Sequence, residues 1–303
     1  MSTRKITDGA MFAAMIGVLL LADRQFAGFF DFTIFWIASI PIIVYIAKYR
    51  LQDAGALLVT VMGIAIMLSP IQTVFYVAMA CLAAFLYGWG IKKKYPNHIL
   101  LGISIAVSLV SSFLSMLVFA SLFGFDMYRD ALVTIETMTQ FAELIHFPIP
   151  DVTRFVSVIV IFGLVLMGVM EGIVIHLMSY LVLTRLKLTI APMKPLSQIQ
   201  LSRKAGIMLL LFVCAVAVSQ MMIQSEYLIN ILYFMLFAAL FLFVANGYLS
   251  LLTILAYYNK RKSAFLYLLI SMVFLLPIGI ADSIWNLRER LTIKVSRQSE
   301  RRV

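Results

Sequence analysis

A carboxylate and an imidazole lie five residues apart in the stretch GVMEGIVIH, residues 168–176, which is otherwise apolar. Glu171 and His176 are residue types that exchange protons, so their proximity suggests acid–base chemistry. In an α-helix, however, five residues at about 100° each turn the two side chains roughly 140° apart. The spacing predicts that they face different neighbours and that His176 is a structural residue bonded to a backbone or hydroxyl group.

The depth of Glu171 makes it a candidate functional residue. Arg185 marks the end of the same apolar run, and the fourteen intervening steps of about 1.5 Å place Glu171 about 21 Å away, in the outer half of a membrane span. A charge at the bilayer centre costs about 2.5–3.5 kcal/mol on insertion scales, so such a carboxylate faces protein or water. Glu171 therefore either lines a cavity or is a hydrogen-bonded structural residue.

Three amides extend this candidate cavity. Gln220 and Asn230 are expected near the outer ends of adjacent apolar segments. Asn246 precedes Gly247 inside a long apolar run, where an amide beside glycine either lines a cavity or marks a kink. The sequence predicts a ligand cavity bounded by Glu171, Gln220, Asn230 and Asn246.

Catalytic signatures are absent. The chain contains no GxxxxGK[ST], HExxH or GxSxG motif, which argues against an ATPase, a zinc protease and a serine hydrolase. Its three histidines are predicted far apart, and Cys81 and Cys214 lie in apolar runs without a CxxC spacing. We therefore expect no enzyme activity, no catalytic residue, no metal site and no cofactor.

The composition indicates a membrane protein. Of the 303 residues, 63% are hydrophobic and 13% are charged, whereas about a quarter of a soluble domain is charged. The net charge of +10 comes from lysines and arginines clustered between apolar segments, where membrane topology accounts for them. The lipid bilayer is the expected partner, and nucleic-acid binding is not expected.

Apolar segments predict an all-α bundle of about eight or nine transmembrane helices. About 20 apolar residues cross a bilayer, and nine segments approach this length: 7–23, 28–47, 53–68, 71–90, 98–124, 153–184, 205–223, 229–258 and 264–284. Basic clusters follow every second segment, so the positive-inside rule places them and the N-terminus in the cytoplasm. The first segment is expected to be retained and not cleaved as a signal peptide.

The C-terminal end conflicts with nine crossings. The tail from Arg288 onward is as basic as the cytoplasmic loops, yet nine crossings would leave it outside. Either the rule fails there, or the last segment does not cross fully and turns at Pro277 and Gly279.

Residues 125–151 form the longest outer connection. Its apolar residues recur at helical spacing among acidic ones, which predicts an amphipathic helix on the outer leaflet, either a plain interfacial helix or a lid.

Small side chains form a stripe on the first helix. Gly9, Ala13 and Gly17 recur at every fourth position, and Ala10 and Ala14 form a second pair beside them. Such stripes let two membrane helices approach closely. The partner is either another helix of this chain or a separate membrane subunit.

Several segments resemble the YybS-like family of bacterial membrane proteins, a domain of unknown function. They are KITDGAMFAAMIGVLLL, IASIPIIVYIAKYR, GWGIKKK, NGYLSLLTILAYYNKRK and LPIGIADSIWNLRER. That family is distantly similar to the S components of energy-coupling-factor vitamin transporters, which bind a vitamin or metal in a six-helix bundle and dock on a coupling subunit through an AxxxA stripe. Ala10 and Ala14 match this stripe, whereas the additional spans and the missing substrate motifs do not match.

The resemblance implies an S-component-like core at residues 1–186, followed by a cytoplasmic loop at 187–204 and membrane segments with a basic tail at 205–303. It implies a subunit that binds or helps to transport a small solute and depends on a membrane coupling subunit for energy. The alternative is a membrane scaffold or regulator that acts through protein–protein contacts.

Overall fold

A computed structural model describes residues 2–123, 127–144, 152–188, 190–193, 201–219, 225–257, 274–288 and 290. Ten α-helices lie in this part of the chain, which contains no strand. They are α1 (Thr3–Gln25), α2 (Asp31–Lys48), α3 (Leu51–Leu68), α4 (Ile71–Lys92), α5 (Asn97–Phe123), α6 (Met127–Leu144), α7 (Val152–Arg185), α8 (Arg203–Ser219), α9 (Glu226–Tyr257) and α10 (Leu275–Trp285).

Among the helices of the described residues, six are long and apolar enough to cross a membrane, namely α1, α3, α4, α5, α7 and α9. Eight of the nine predicted segments each coincide largely with a helix, and α10 covers the described second half of the ninth, while the total of eight or nine crossings stays a prediction. Residues 125–151 contain α6, in agreement with the predicted amphipathic helix. Its apolar Leu132, Val133 and Met138 are exposed, as expected for a helix that rests on a lipid surface.

The helices group into two compact units, each of which is described by itself. Unit 1 comprises residues 1–132 and 163–193, and unit 2 comprises residues 133–162 and 194–303.

In unit 1, α4 is the central helix. Of the residues in the most apolar stretch of α4, 56% are buried, compared with 17–33% in the corresponding stretches of the other five spans. It packs closely on α2, where a Cβ atom on Gly88 would lie 2.5 Å from Cγ2 of Ile46. This central position makes α4 the helix that meets polar groups from several neighbours.

In unit 2, α10 packs across α9 with its backbone almost touching. A Cβ atom on Gly247 would lie 1.9 Å from the carbonyl oxygen of Leu275, and one on Gly279 would lie 1.8 Å from that of Phe243. Only glycine allows helix backbones to come this close. The predicted turn at Pro277 and Gly279 is wrong, because α10 is continuous through both residues.

The end of α10 lies beside the start of α8, because a Cβ atom on Gly206 would lie 2.6 Å from Cβ of Ser283. The eleven residues of α10 extend about 16 Å, about half of the hydrocarbon thickness. The chain after α10 therefore begins beside the first turn of α8, close in sequence to the end of the basic loop 187–204.

Candidate functional site

Two aspartates meet where α1 ends and α2 begins. Asp23 is 1% exposed and Asp31 is 5% exposed, and their carboxyl groups are close enough to interact. The loop between them turns through Ala27 and Gly28, both with positive φ, so that the chain reverses within a few residues. A Cβ atom on Gly28 would lie 3.0 Å from Oδ2 of Asp31, so this position suits glycine for both conformation and space.

The polar groups around this pair leave one carboxyl oxygen unsatisfied. The backbone N–H of Phe30 donates to Oδ1 of Asp23 at 2.8 Å, and the hydroxyl of Thr73 donates to Oδ1 of Asp31. Oδ2 of Asp23 is buried without a hydrogen-bond partner. Because buried polar atoms are nearly always paired, such an oxygen is a mark of strain or of a missing ligand.

Tyr76, one helical turn after Thr73 on α4, connects this pair to Glu171. The Tyr76 side chain is 5% exposed and is hydrogen-bonded to Ser115 of α5. Asp31 and Glu171 are both close enough to act electrostatically on its hydroxyl group. The polar groups of α1, α2, α4, α5 and α7 therefore meet along one face of the central helix.

Glu171 is held in place by a close crossing of α7 and α5. A Cβ atom on Gly172 would lie 2.5 Å from Cα of Ile105, and one on Gly168 would lie 3.1 Å from Cα of Leu109. Gly168 and Gly172 thus allow close contact with α5, and α7 is one continuous helix through both residues. The half-buried Glu171 lies between these two contacts in sequence, on a segment that cannot rotate without a clash.

His176 is structural, as the sequence predicts. Its Nδ1 lies 2.9 Å from the hydroxyl of Tyr87, and both side chains are buried. His176 and Glu171 do have different neighbours, but both neighbours belong to α4, at Tyr87 and Tyr76. No acid–base pair of Glu171 with His176 is formed.

The predicted cavity residues have different surroundings in the structure, and the cavity itself stays a prediction. Asn230 is exposed on α9, and Gln220 lies outside the described residues. Asn246 is buried in unit 2, where its side-chain N–H groups donate to the carbonyl oxygen of Gly279 at 3.1 Å and to Oδ2 of Asp282 at 3.2 Å. The structure thus assigns Asn246 to a polar cluster of unit 2, while Glu171 belongs to unit 1.

That cluster contains a fully buried ion pair. Arg288 donates through Nε to Oδ2 of Asp282 at 2.8 Å, through its backbone N–H to Oδ1 of Asp282 at 3.0 Å, and through Nη2 to Oδ1 of Asn246. Asn286, in the left-handed conformation, ends α10 and turns the chain back. Arg288 is 1% exposed, so its side chain lies inside this cluster and does not extend to the membrane surface. Trp285 is 55% exposed, as an interfacial anchor would be.

The small-residue stripe divides between two faces of α1. Ala13 and Gly17 are buried and Gly9 is half-buried, with Gly9 against Tyr45 and Gly17 against Ile64. Ala10 and Ala14 are exposed. One row of the stripe thus packs within the chain, and the other row is open.

The sequence reasoning missed Asp23, Asp31, Thr73 and Tyr76. Asp23 and Asp31 bracket a short loop between two apolar segments, a position where charged residues are common, so the sequence pattern did not single them out. Among the described residues, no group of three or more histidines, cysteines or acids could hold a metal ion.

Fold and site together define a class, an all-helical polytopic membrane protein with buried carboxylates at one end of a helical unit. Within this class the chain belongs to the family of predicted membrane proteins DUF2232, whose model matches residues 14–282. No curated protein and no solved structure matches the chain. Membership of a membrane family of unknown function is thus confirmed, while the YybS-like assignment and the similarity to S components stay predictions.

Proposed function

We propose that this protein is a non-enzymatic membrane protein that binds a small, positively charged species at the carboxylates of unit 1 and helps to transport it. The observation that carries this proposal is the contact of Asp23 with Asp31, with one buried carboxyl oxygen left without a partner. Two buried carboxylates in contact do not both ionise without a compensating positive charge. They therefore hold a shared proton or a cation.

The charges of the surrounding helices support this proposal. The salt bridges of the described residues join Lys5 with Asp53, Lys48 with Asp8 and Arg288 with Asp282. In the described part of the chain, no lysine, arginine or histidine is paired with Asp23, Asp31 or Glu171. Carboxylates in a membrane protein that have no internal counter-charge are typical of ion and solute pathways.

The polar face of α4 provides a path for the bound species. Thr73 and Tyr76 lie between the aspartate pair and Glu171, and their hydroxyl groups can accept and donate hydrogen bonds. The sequence contains no nucleotide-binding motif, so the energy for transport would come from an ion gradient or from a partner subunit.

The purified protein tests this proposal through its unfolding midpoint in detergent with sodium, potassium, ammonium, guanidinium or a polyamine. We expect at least one of these ions to raise the midpoint of the wild type and of Glu136→Gln, a control at an exposed acid of α6. The same ion should have no effect on Asp31→Asn and Glu171→Gln. Equal shifts in all four proteins, or no shift with any ion, would contradict the proposal.

A second candidate function, docking on another membrane protein, rests on the exposed Ala10 and Ala14. Their small side chains leave an open groove on α1, and they match the AxxxA pattern. Ala10→Leu with Ala14→Leu should leave the thermal stability unchanged and abolish copurification with a defined coupling subunit. Ala56→Leu, at an exposed alanine of α3, is the control. Copurification that is unchanged in the double variant would remove this candidate.

A further inference from the structure

A basic cleft opens at the opposite end of unit 1 from the aspartate pair. It lies where α1 begins, α2 passes into α3 and α4 ends, and its volume is about 470 Å³. Its lining consists of four cationic residues, one aromatic and one aliphatic: Lys5, Lys48, Arg50, Lys92, Tyr49 and Leu51. The volume falls within the range of about 300–1,000 Å³ that is usual for ligand sites.

The charges of this cleft are only partly balanced. Lys5 is paired with Asp53 at 2.5 Å, and Lys48 is paired with Asp8. Within the described part of the chain, no carboxylate is paired with Arg50 or Lys92. The cleft therefore keeps an excess of two positive charges beside its two ion pairs, which suits an anion.

The surrounding contacts hold the cationic groups in place. The Lys92 ammonium donates to the carbonyl oxygen of Ala47 at 2.8 Å and so connects α4 to the end of α2. The ring of Tyr49 lies under the ammonium groups of Lys48 and Lys5, at 5.3 and 5.9 Å, and its hydroxyl donates to Asp8 at 2.5 Å. The site is thus preformed by three helix ends, with Arg50 on the short connection between two of them.

We propose that this cleft binds a phosphate group, carried either by an anionic lipid headgroup or by a soluble phosphate compound. Arginine binds phosphate oxygens through two parallel N–H groups, and lysine binds them as a point charge. Clusters of basic residues at the ends of membrane helices also attract anionic headgroups. The apolar Leu51 beside the charges matches the boundary between a headgroup and its acyl chains.

The test removes the two unbalanced charges with Arg50→Gln and Lys92→Gln and compares this variant with Lys93→Gln and Lys94→Gln. The control variant also loses two positive charges, but Lys93 and Lys94 follow Lys92 in the chain and do not line the cleft. Native mass spectrometry measures binding of phosphatidylglycerol against phosphatidylcholine, and calorimetry in lipid-free detergent measures binding of inorganic phosphate and pyrophosphate.

We expect at least one phosphate probe to bind the wild type and the control with equal affinity. The affinity of the cleft variant for that probe should be lower by a factor of about ten or more. Retention of phosphatidylglycerol alone identifies a lipid site, and binding of the soluble anions identifies a soluble ligand. Equal weakening in both double variants, or no binding of any probe to the wild type, would overturn the proposal. Arg50→Gln alone serves as a second variant, because the Arg50 side chain is exposed and its loss leaves both ion pairs intact.

Discussion

Buried aspartates occur in both units, but their surroundings differ in charge. In unit 2, Asp282 receives hydrogen bonds from Arg288 and Asn246, so its charge is matched within the protein. In unit 1, Asp23 contacts a second carboxyl group, and one of its oxygens has no partner. A matched buried pair is costly to break but stable when complete, whereas an unmatched pair requires a proton or a ligand. The cluster of unit 2 therefore stabilises the fold, whereas the pair of unit 1 is the one for which we propose a binding role.

The largest expected effect is that of Arg288→Met, which leaves Asp282 buried without its counter-charge. Breaking a buried pair in this way costs about 3–5 kcal/mol. Thermal unfolding in detergent should show a strongly lowered midpoint, and Asp282→Asn added to the same chain should restore part of it. Arg290→Met, at an exposed arginine, should leave the midpoint unchanged. A wild-type midpoint for Arg288→Met would refute a structural role for the pair.

The next effect is that of Gly279→Ala, which tests the close helix contact around this cluster. The new Cβ atom would overlap the carbonyl oxygen of Phe243, so α10 must move away from α9. Overpacking of this kind costs about 1–3 kcal/mol, and sometimes more. Gly55→Ala on α3 is the matched control, because nothing lies within 4 Å of its Cβ position. The unfolding midpoint should fall for Gly279→Ala only.

A smaller effect of opposite sign is expected for Asp31→Asn. The amide can still accept the hydrogen bond of Thr73 and can donate to the unpaired oxygen of Asp23, so the free energy of unfolding should rise by about 1 kcal/mol. Asp282→Asn, the same substitution in unit 2, should lower it. Chemical unfolding of both variants in parallel gives the two signs, and a decrease for both would remove the distinction between the two clusters.

The last prediction concerns topology, with no expected change in stability. Since Arg288 folds back onto α9 at the end of α10, and α10 ends beside the start of α8, the basic tail should begin on the side of loop 187–204. A reporter fused after Val303 should therefore be accessible from the same side as a tag inserted in that loop. Accessibility from opposite sides would mean that the chain crosses the membrane once more.

The sequence predicted helices better than contacts. The apolar segments, the amphipathic helix at 127–144 and the hydroxyl neighbour of His176 all follow from local residue patterns. The candidate cavity was predicted from polar residues at depth and stays a prediction, with Glu171 in one unit and Asn246 in the other. Asp23 and Asp31 lie at the ends of segments, where charged residues are expected, so their burial gave no local signal.

The sequence alone determined that this chain is a membrane protein and approximately where its long apolar helices lie, because hydropathy and helix length are local properties. The tertiary structure decided which polar groups meet, as for Asp31 with Thr73 or Asn246 with Arg288, each pair 42 residues apart. In a soluble helix, the apolar face shows which side is buried, but a membrane helix is apolar on every side. Its rotation is therefore set by close packing at glycines and by buried polar pairs, and these exist only in the assembled fold.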